Sequence, residues 1–163
     1  MTAAVSTIRS MLVALDDSER APLVLATASM MARGFGARLF PIRVVVPPLD
    51  IPAAAHTQPD GLETVLEKEA RRDLHRLMEG EPIVQFGPAI VSVGEPWRRI
   101  LNVAKEFDVD LIVLGSHRYR GLDRVLGTTA AKVANHADRN VLVVHERAGT
   151  SRALEASTKG GAR

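Results

Sequence analysis

Leu111-Ile112-Val113-Leu114 and Val141-Leu142-Val143-Val144 are apolar at every position. A strand wetted on one face alternates apolar and polar side chains, whereas an unbroken apolar run needs cover on both faces. Runs this short suit buried strands better than helices. IRSMLVAL at 8–15, RLFPIRVVV at 38–46 and AIVSV at 89–93 are of the same kind. Longer segments with apolar residues at helical spacing separate them. The order is therefore β-α-β-α-β-α-β-α-β, which predicts a parallel sheet with helices on both faces. Right-handed crossovers make a doubly wound α/β fold with strand order 3-2-1-4-5 the simplest solution.

Local signals refine this order. Asp16-Asp17-Ser18 ends the first strand, and Asp17 or Ser18 is expected to cap the following helix, with Pro22 in its first turns. Leu23, Ala26, Thr27, Met30 and Met31 then fall at helical spacing, and Gly34 and Gly36 supply a stop. Pro41 is in tension with its strand, because proline is usually confined to strand starts, edges and bulges. Leu62, Leu66, Ala70, Leu74 and Leu77 trace one face of a charged helix ending at Gly80. Its Glu67, Lys68, Glu69, Arg71, Arg72 and Asp73 read as a solvated face. Pro96 suits a helix start, with Trp97, Ile100, Leu101, Ala104 and Phe107 on the apolar side and Trp97 as an anchor to the sheet. A last helix is expected over about 128–138. Residues 47–61, PPLDIPAAAHTQPDG, lack periodicity and read as an exposed loop. One domain over 1–147 and a disordered tail over 148–163 are expected.

Composition narrows the function classes. Apolar residues make up 46% of the 163, which is ordinary for a globular chain. No apolar run approaches the roughly 18 residues that span a bilayer, and the first residues lack the pattern of a signal peptide. The absence of cysteine removes disulfide and thiolate chemistry and suits the cytoplasm, so a cytoplasmic protein without a membrane segment is expected. The net charge is +2 and the aromatics are one Trp, one Tyr and four Phe, a poor basis for nucleic-acid binding.

Ligands in doubly wound sheets bind at the carboxyl ends of strands, near the point where strand order reverses. Two polar segments arrive there: Asp16-Asp17-Ser18 after the first strand, and GSHRYRGLDRVLGTT at 115–129 after the fourth. Backbone amides at a helix start can surround a phosphate, and glycine lets the chain approach closely. Gly115 leaves its strand, Gly121 lies mid-loop, and Gly127-Thr128-Thr129 opens the next helix. Arg118, Arg120 and Arg124 offer positive charge. An alternative stays open, in which Gly115 and Gly127 only make turns and Thr128 caps a helix. The ATPase P-loop is excluded, since Gly127-Thr128-Thr129 lacks the Lys-Ser/Thr ending.

LVALDDS, VGEPWRRILNVAKEFDVDLIVLGSH and GLDRVLGTTAAKVANHADRNVLVV resemble the universal stress protein family, and the likeness runs through nearly all of residues 8–145. It implies a regulatory ATP-binding switch in place of an enzyme, with ATP held alone or with Mg²⁺, and a homodimer paired through strand 141–145. It also implies that Asp16 contacts the adenosine, that Val44 lies on the adenine side and that Leu114 precedes the nucleotide loop. In that loop Gly115, Arg118, Gly127, Thr128 and Thr129 fall at the phosphate side, and His117 either bonds the ligand or holds the turn. The family's ATP pattern is Gly, two residues, Gly, nine residues, then Gly with Ser or Thr. Here Arg118 stands at the second glycine, and eight residues separate it from Gly127-Thr128. Members that do not bind ATP also exist, so a nucleotide-free dimeric interaction module acting on a protein partner is the second reading.

Other chemistries lack their residues. A phosphoacceptor receiver domain would use paired acids like Asp16-Asp17, yet it needs an aspartate ending strand three and a lysine ending strand five. Val93-Gly94-Glu95 and Val144-His145-Glu146 stand there instead. His56 and His75 are expected in solvent, and His117, His136 and His145 show no paired ligand spacing, so no metal site is expected. Ser116-His117 does not make a catalytic pair by adjacency. Any ATP hydrolysis should be slow without a general base or metal-ligand set. The last strand is an edge in this order, and Val141 to Val144 carry neither charge nor proline. Such an edge invites a second chain, and a twofold dimer would hide it symmetrically.

Arg118 generates the first prediction. If its backbone is left-handed, a non-glycine residue there costs on the order of 1 kcal/mol. If it is ordinary, the guanidinium can grip a phosphate through two nitrogens. Equilibrium ATP binding by Arg118→Gly separates the two: tighter binding marks an obstruction, weaker binding a phosphate ligand.

Overall fold

The computed structural model describes residues 7–46, 62–81, 83–116 and 127–145. The elements are β1 (Ser10–Ala14), α1 (Ala21–Phe35), β2 (Arg38–Val45), α2 (Leu62–Glu79), β3 (Ile90–Val93), α3 (Pro96–Glu106), β4 (Leu111–Gly115), α4 (Thr128–His136) and β5 (Asn140–Val144). All paired strands are parallel, in the order β3-β2-β1-β4-β5. This is the doubly wound α/β arrangement that the apolar runs predict. The expected loop over 47–61 and tail over 148–163 lie outside the described residues.

The two faces of the sheet account for the consecutive apolar residues. Met11, Val13, Leu39, Leu111 and Val113 pack on one side against Val24, Leu25, Ala28 and Ala32 of α1 and Leu74 of α2. Leu12, Phe40, Ile42, Ile112 and Leu114 pack on the other against Ile100, Leu101 and Ala104 of α3 and Ala130 and Val133 of α4. Trp97 joins this second cluster half-buried, with its ring 4.9 Å from that of His136. His75 is exposed on α2, as expected.

The buried stripe of α1 differs from the expected one. Ala21, Val24, Leu25, Ala28 and Ala32 face the sheet, whereas Leu23 and Met30 are exposed. Both sets fit a 3.6-residue period, and the smaller residues win because they let the helix lie close over β1 and β4. Gly36 ends α1 with φ 65°, and its N–H reaches the carbonyls of Ala32 and Arg33.

Pro41 lies within an interior strand, and a register shift accommodates it. Leu39 pairs with Phe86 and Ile42 with Ile90, so the β3 side carries one more residue than β2 across the interval. Leu39 exchanges backbone bonds with Gln85 and Gly87 on that side. Two-residue alternation turns the proline nitrogen the same way, into the bulge, where no ladder donor is required.

At the amino ends of β1 and β4, the Asp110 carboxylate accepts from the Arg9 N–H at 2.8 Å and the Ser10 N–H at 3.0 Å. It also accepts from the Ser10 hydroxyl at 3.1 Å. These bonds, the Arg9 amide foremost, hold its pKa below the ordinary 3.8. Asp110→Ala is expected to cost about 1–2 kcal/mol in urea unfolding. A depressed carboxyl stabilises fully above its unfolded pKa and loses that contribution as pH falls through the lower folded value. The difference between wild type and variant should therefore shrink below about pH 4.

Candidate functional site

β1 feeds α1 on one face of the sheet, while β4 leads toward α4 on the other, so a crevice opens between their carboxyl ends. Asp16, Ser18, Arg20, Val24, Gly115 and Ser116 line it. Asp16 Oδ1 accepts from the Ser18 N–H at 3.0 Å and from the Ser18 hydroxyl at 2.6 Å. Arg20 donates from Nη1 to the Ser116 carbonyl at 3.0 Å and so spans the crevice.

This turn shifts the expected helix cap: Ser18 bonds a backbone N–H at the helix entry, but from ahead of the N-cap position. The N-cap of α1 is Arg20, without a side-chain cap bond, and Pro22 falls in its opening positions. The Ser18 hydroxyl donates to Asp16 and accepts from the Arg20 N–H at 3.3 Å, while the Ser18 carbonyl accepts from Ala21 N–H at 3.0 Å, so Ser18 serves the turn just ahead of the helix. Gly115 has a packing reason of its own. A Cβ there would stand 2.9 Å from Val24 Cγ2, so α1 leaves no room for a side chain.

Val44 is half-buried near the end of β2, and Leu114 is buried in β4; both pack on the α3/α4 side. Parallel crossover places the amino end of α4 at the same carboxyl edge. Gly127 is the N-cap of α4 with φ −52°, and Thr128 is exposed beyond it, so the alternative of a Thr128 cap is not what forms. The structure thus brings Asp16 and Gly115 into one crevice. Val44, Leu114, Gly127, Thr128 and Thr129 do not line that crevice and belong to the other side of the edge. His117 and Arg118 lie outside the described residues.

Sequence reasoning passed over four contributors. Arg20 and Ser116 bridge the crevice, and Ser116, buried, pairs its hydroxyl with His145 Nδ1 at 2.8 Å. Arg43 reaches the Asp16 carbonyl from within β2. Only Arg43 carried a readable signal, a charge inside an apolar strand. Among the described residues no cluster of three or more His, Asp or Glu could hold a metal ion, and no helix is long and apolar enough to cross a membrane.

Comparison with known proteins bears on this geometry. The model of the universal stress protein family matches residues 7–145. Universal stress protein A homolog 2 of Coxiella burnetii is 32% identical over 133 residues, covering 80% of this chain and 89% of that protein. Universal stress protein Sll1388 of Synechocystis sp. is 46% identical over 55 residues, a match that spans 33% of this chain and 36% of Sll1388. Among solved structures, the universal stress protein UspA from Lactobacillus plantarum superposes with TM-score 0.67 at 27% identity, covering 85% of this chain and 99% of that one. A universal stress protein in complex with cAMP superposes with TM-score 0.63 at 21% identity over 86% of this chain and 98% of that one. The Archaeoglobus fulgidus protein in complex with dAMP gives 0.58 at 22% identity over 84% and 98%.

The contact between Gly115 and α1 is testable without ligand. Gly115→Ala should lower stability by about 1–3 kcal/mol through overpacking, measured by urea unfolding. Adding Val24→Ala should recover part of that loss, and an additive pair of losses would contradict the contact.

Proposed function

The chain belongs to the universal stress protein family, and on that premise we propose that it is a cytoplasmic stress-response regulator that binds ATP at the carboxyl ends of β1 and β4. The observation that carries this reading is the convergence of Asp16 and Gly115 on one crevice at the point where strand order reverses. Two structural relatives hold cAMP and dAMP, which supports an adenine nucleotide as the ligand class. In this reading the Asp16 carboxylate accepts from ribose hydroxyls, and Val44 and Leu114 form the apolar side for the base. The first amides of α4, at Gly127, Thr128 and Thr129, receive phosphate oxygens. His117 and Arg118 complete the phosphate side, with or without Mg²⁺. Function is regulatory: occupancy changes what the protein presents to a partner, and any hydrolysis is slow.

One observation favours the second reading, a nucleotide-free interaction module. Arg20 already spans the crevice to Ser116, and Ser18 already engages the Asp16 carboxylate. Calorimetric titration with ATP and AMP, with and without Mg²⁺, separates the two. Saturable ATP binding supports the leading reading, and no binding at millimolar ATP replaces it with the second.

Both readings share a homodimer through strand 141–145, supported by the position of β5 at the sheet edge. The Val144 carbonyl accepts from Ser116 N–H on the β4 side, so alternation turns the Val143 N–H outward. Val143→Pro removes that outward donor and spares the ladder to β4. Sedimentation should show a dimer for wild type and a folded monomer for the variant.

A further inference from the structure

β2 carries a guanidinium into the interior. Arg43 is 7% exposed and stands between Ile42 and Val44 in a strand whose other central residues are apolar. Its Nη2 donates to the Asp16 carbonyl at 2.6 Å, and Nη1 lies 3.5 Å from the Asp73 carboxylate on α2. Its Nε is buried without a hydrogen-bond partner among the described residues. Burying a cation carries a large desolvation cost, and an unpaired N–H adds to it. Little is returned by Asp73, whose side chain is 49% exposed and is also paired with Arg76 at 3.1 Å. An apolar side chain of similar length would fill the place at less cost.

Stability alone therefore gives no reason for a guanidinium at this position. What it holds is the backbone of the turn whose carboxylate faces the crevice. Asp16 is fixed twice, through its carbonyl by Arg43 and through its carboxylate by Ser18. The next residue along β2 is Val44, half-buried on the opposite face, so two successive strand positions serve the two proposed sides of the ligand.

We propose that Arg43 is a positioning residue that aims the Asp16 turn into the crevice and ties that turn to α2. Its effect on affinity rests on the nucleotide reading, whereas its effect on the turn stands without it. Arg43→Met in the full, ligand-free chain is expected to keep or raise Tm. Amides between Leu15 and Ala21 should exchange faster with deuterium, that of Ser18 foremost, while amides of the central strands stay protected. The Kd for ATP should rise about tenfold, the usual scale for losing a group that orients a ligand contact. Arg43→Lys places one ammonium where two nitrogens reach apart, and should fall between wild type and Arg43→Met. If Arg43→Met does not fold, Arg43→Lys carries the same comparison.

Unchanged exchange in the Asp16 turn overturns the proposal, as does a lowered Tm with faster exchange throughout. Wild-type protein that fails to bind ATP removes the nucleotide reading alone. The exchange comparison then still decides the role of Arg43.

Discussion

The structure depends on the pairing of β1 with β4, in which Met11 meets Leu111 and Val13 meets Val113. The first half of the chain builds outward from β1 through β2 to β3, and the second half returns to β1's other side. Because each crossover is right-handed, that reversal sends α1 and α2 to one face and α3 and α4 to the other. Two-sided cover buries the middle of each central strand. It also parts the chain at the carboxyl ends of β1 and β4, which creates the crevice. The same two strands are joined at both ends: Asp110 ties their amino ends to Arg9 and Ser10, and Arg20 reaches across the carboxyl ends to Ser116.

Polar groups at the carboxyl edge are held by one another. Ser18 fixes the Asp16 carboxylate, Arg43 its carbonyl, and His145 the Ser116 hydroxyl. In the proposed nucleotide reading, such fixation would place the Asp16 carboxylate in advance; in the nucleotide-free reading, it closes the edge on itself. It also makes α2 a participant, since Asp73 meets the guanidinium that meets the turn. The apolar packing that supplies most of the stability lies below this edge, in the two clusters on the sheet faces.

Fold legibility came from periodicity, and it failed where periodicity is ambiguous. Unbroken runs such as LIVL specified two-sided burial and hence the parallel sheet. In α1 two stripes of equal period competed, and the choice rested on how closely Val24 approaches Gly115, a tertiary fact. Pro41 was readable as a conflict, but its resolution needed the offset between Phe86 and Ile90. At the site, Asp16 and Gly115 were legible because both follow strands that meet at the reversal. The form of the Ser18 turn was not, because its hydroxyl donates to Asp16 and accepts from the Arg20 N–H, while Arg20 itself takes the N-cap position. Arg43 was visible as an anomaly, yet its partners lie on other elements, at Asp16 and Asp73, beyond the reach of any local pattern.

In the proposed reading a nucleotide enters between the carboxyl ends of β1 and β4. An amide-resolved NMR titration of the isotope-labelled protein with ATP tests it most directly. Saturable shifts are expected at Asp16, Ser18, Gly115 and Gly127 to Thr129, with α2 residues near Asp73 responding more weakly. Absence of shifts at millimolar ATP, or shifts confined to residues away from this edge, would contradict it.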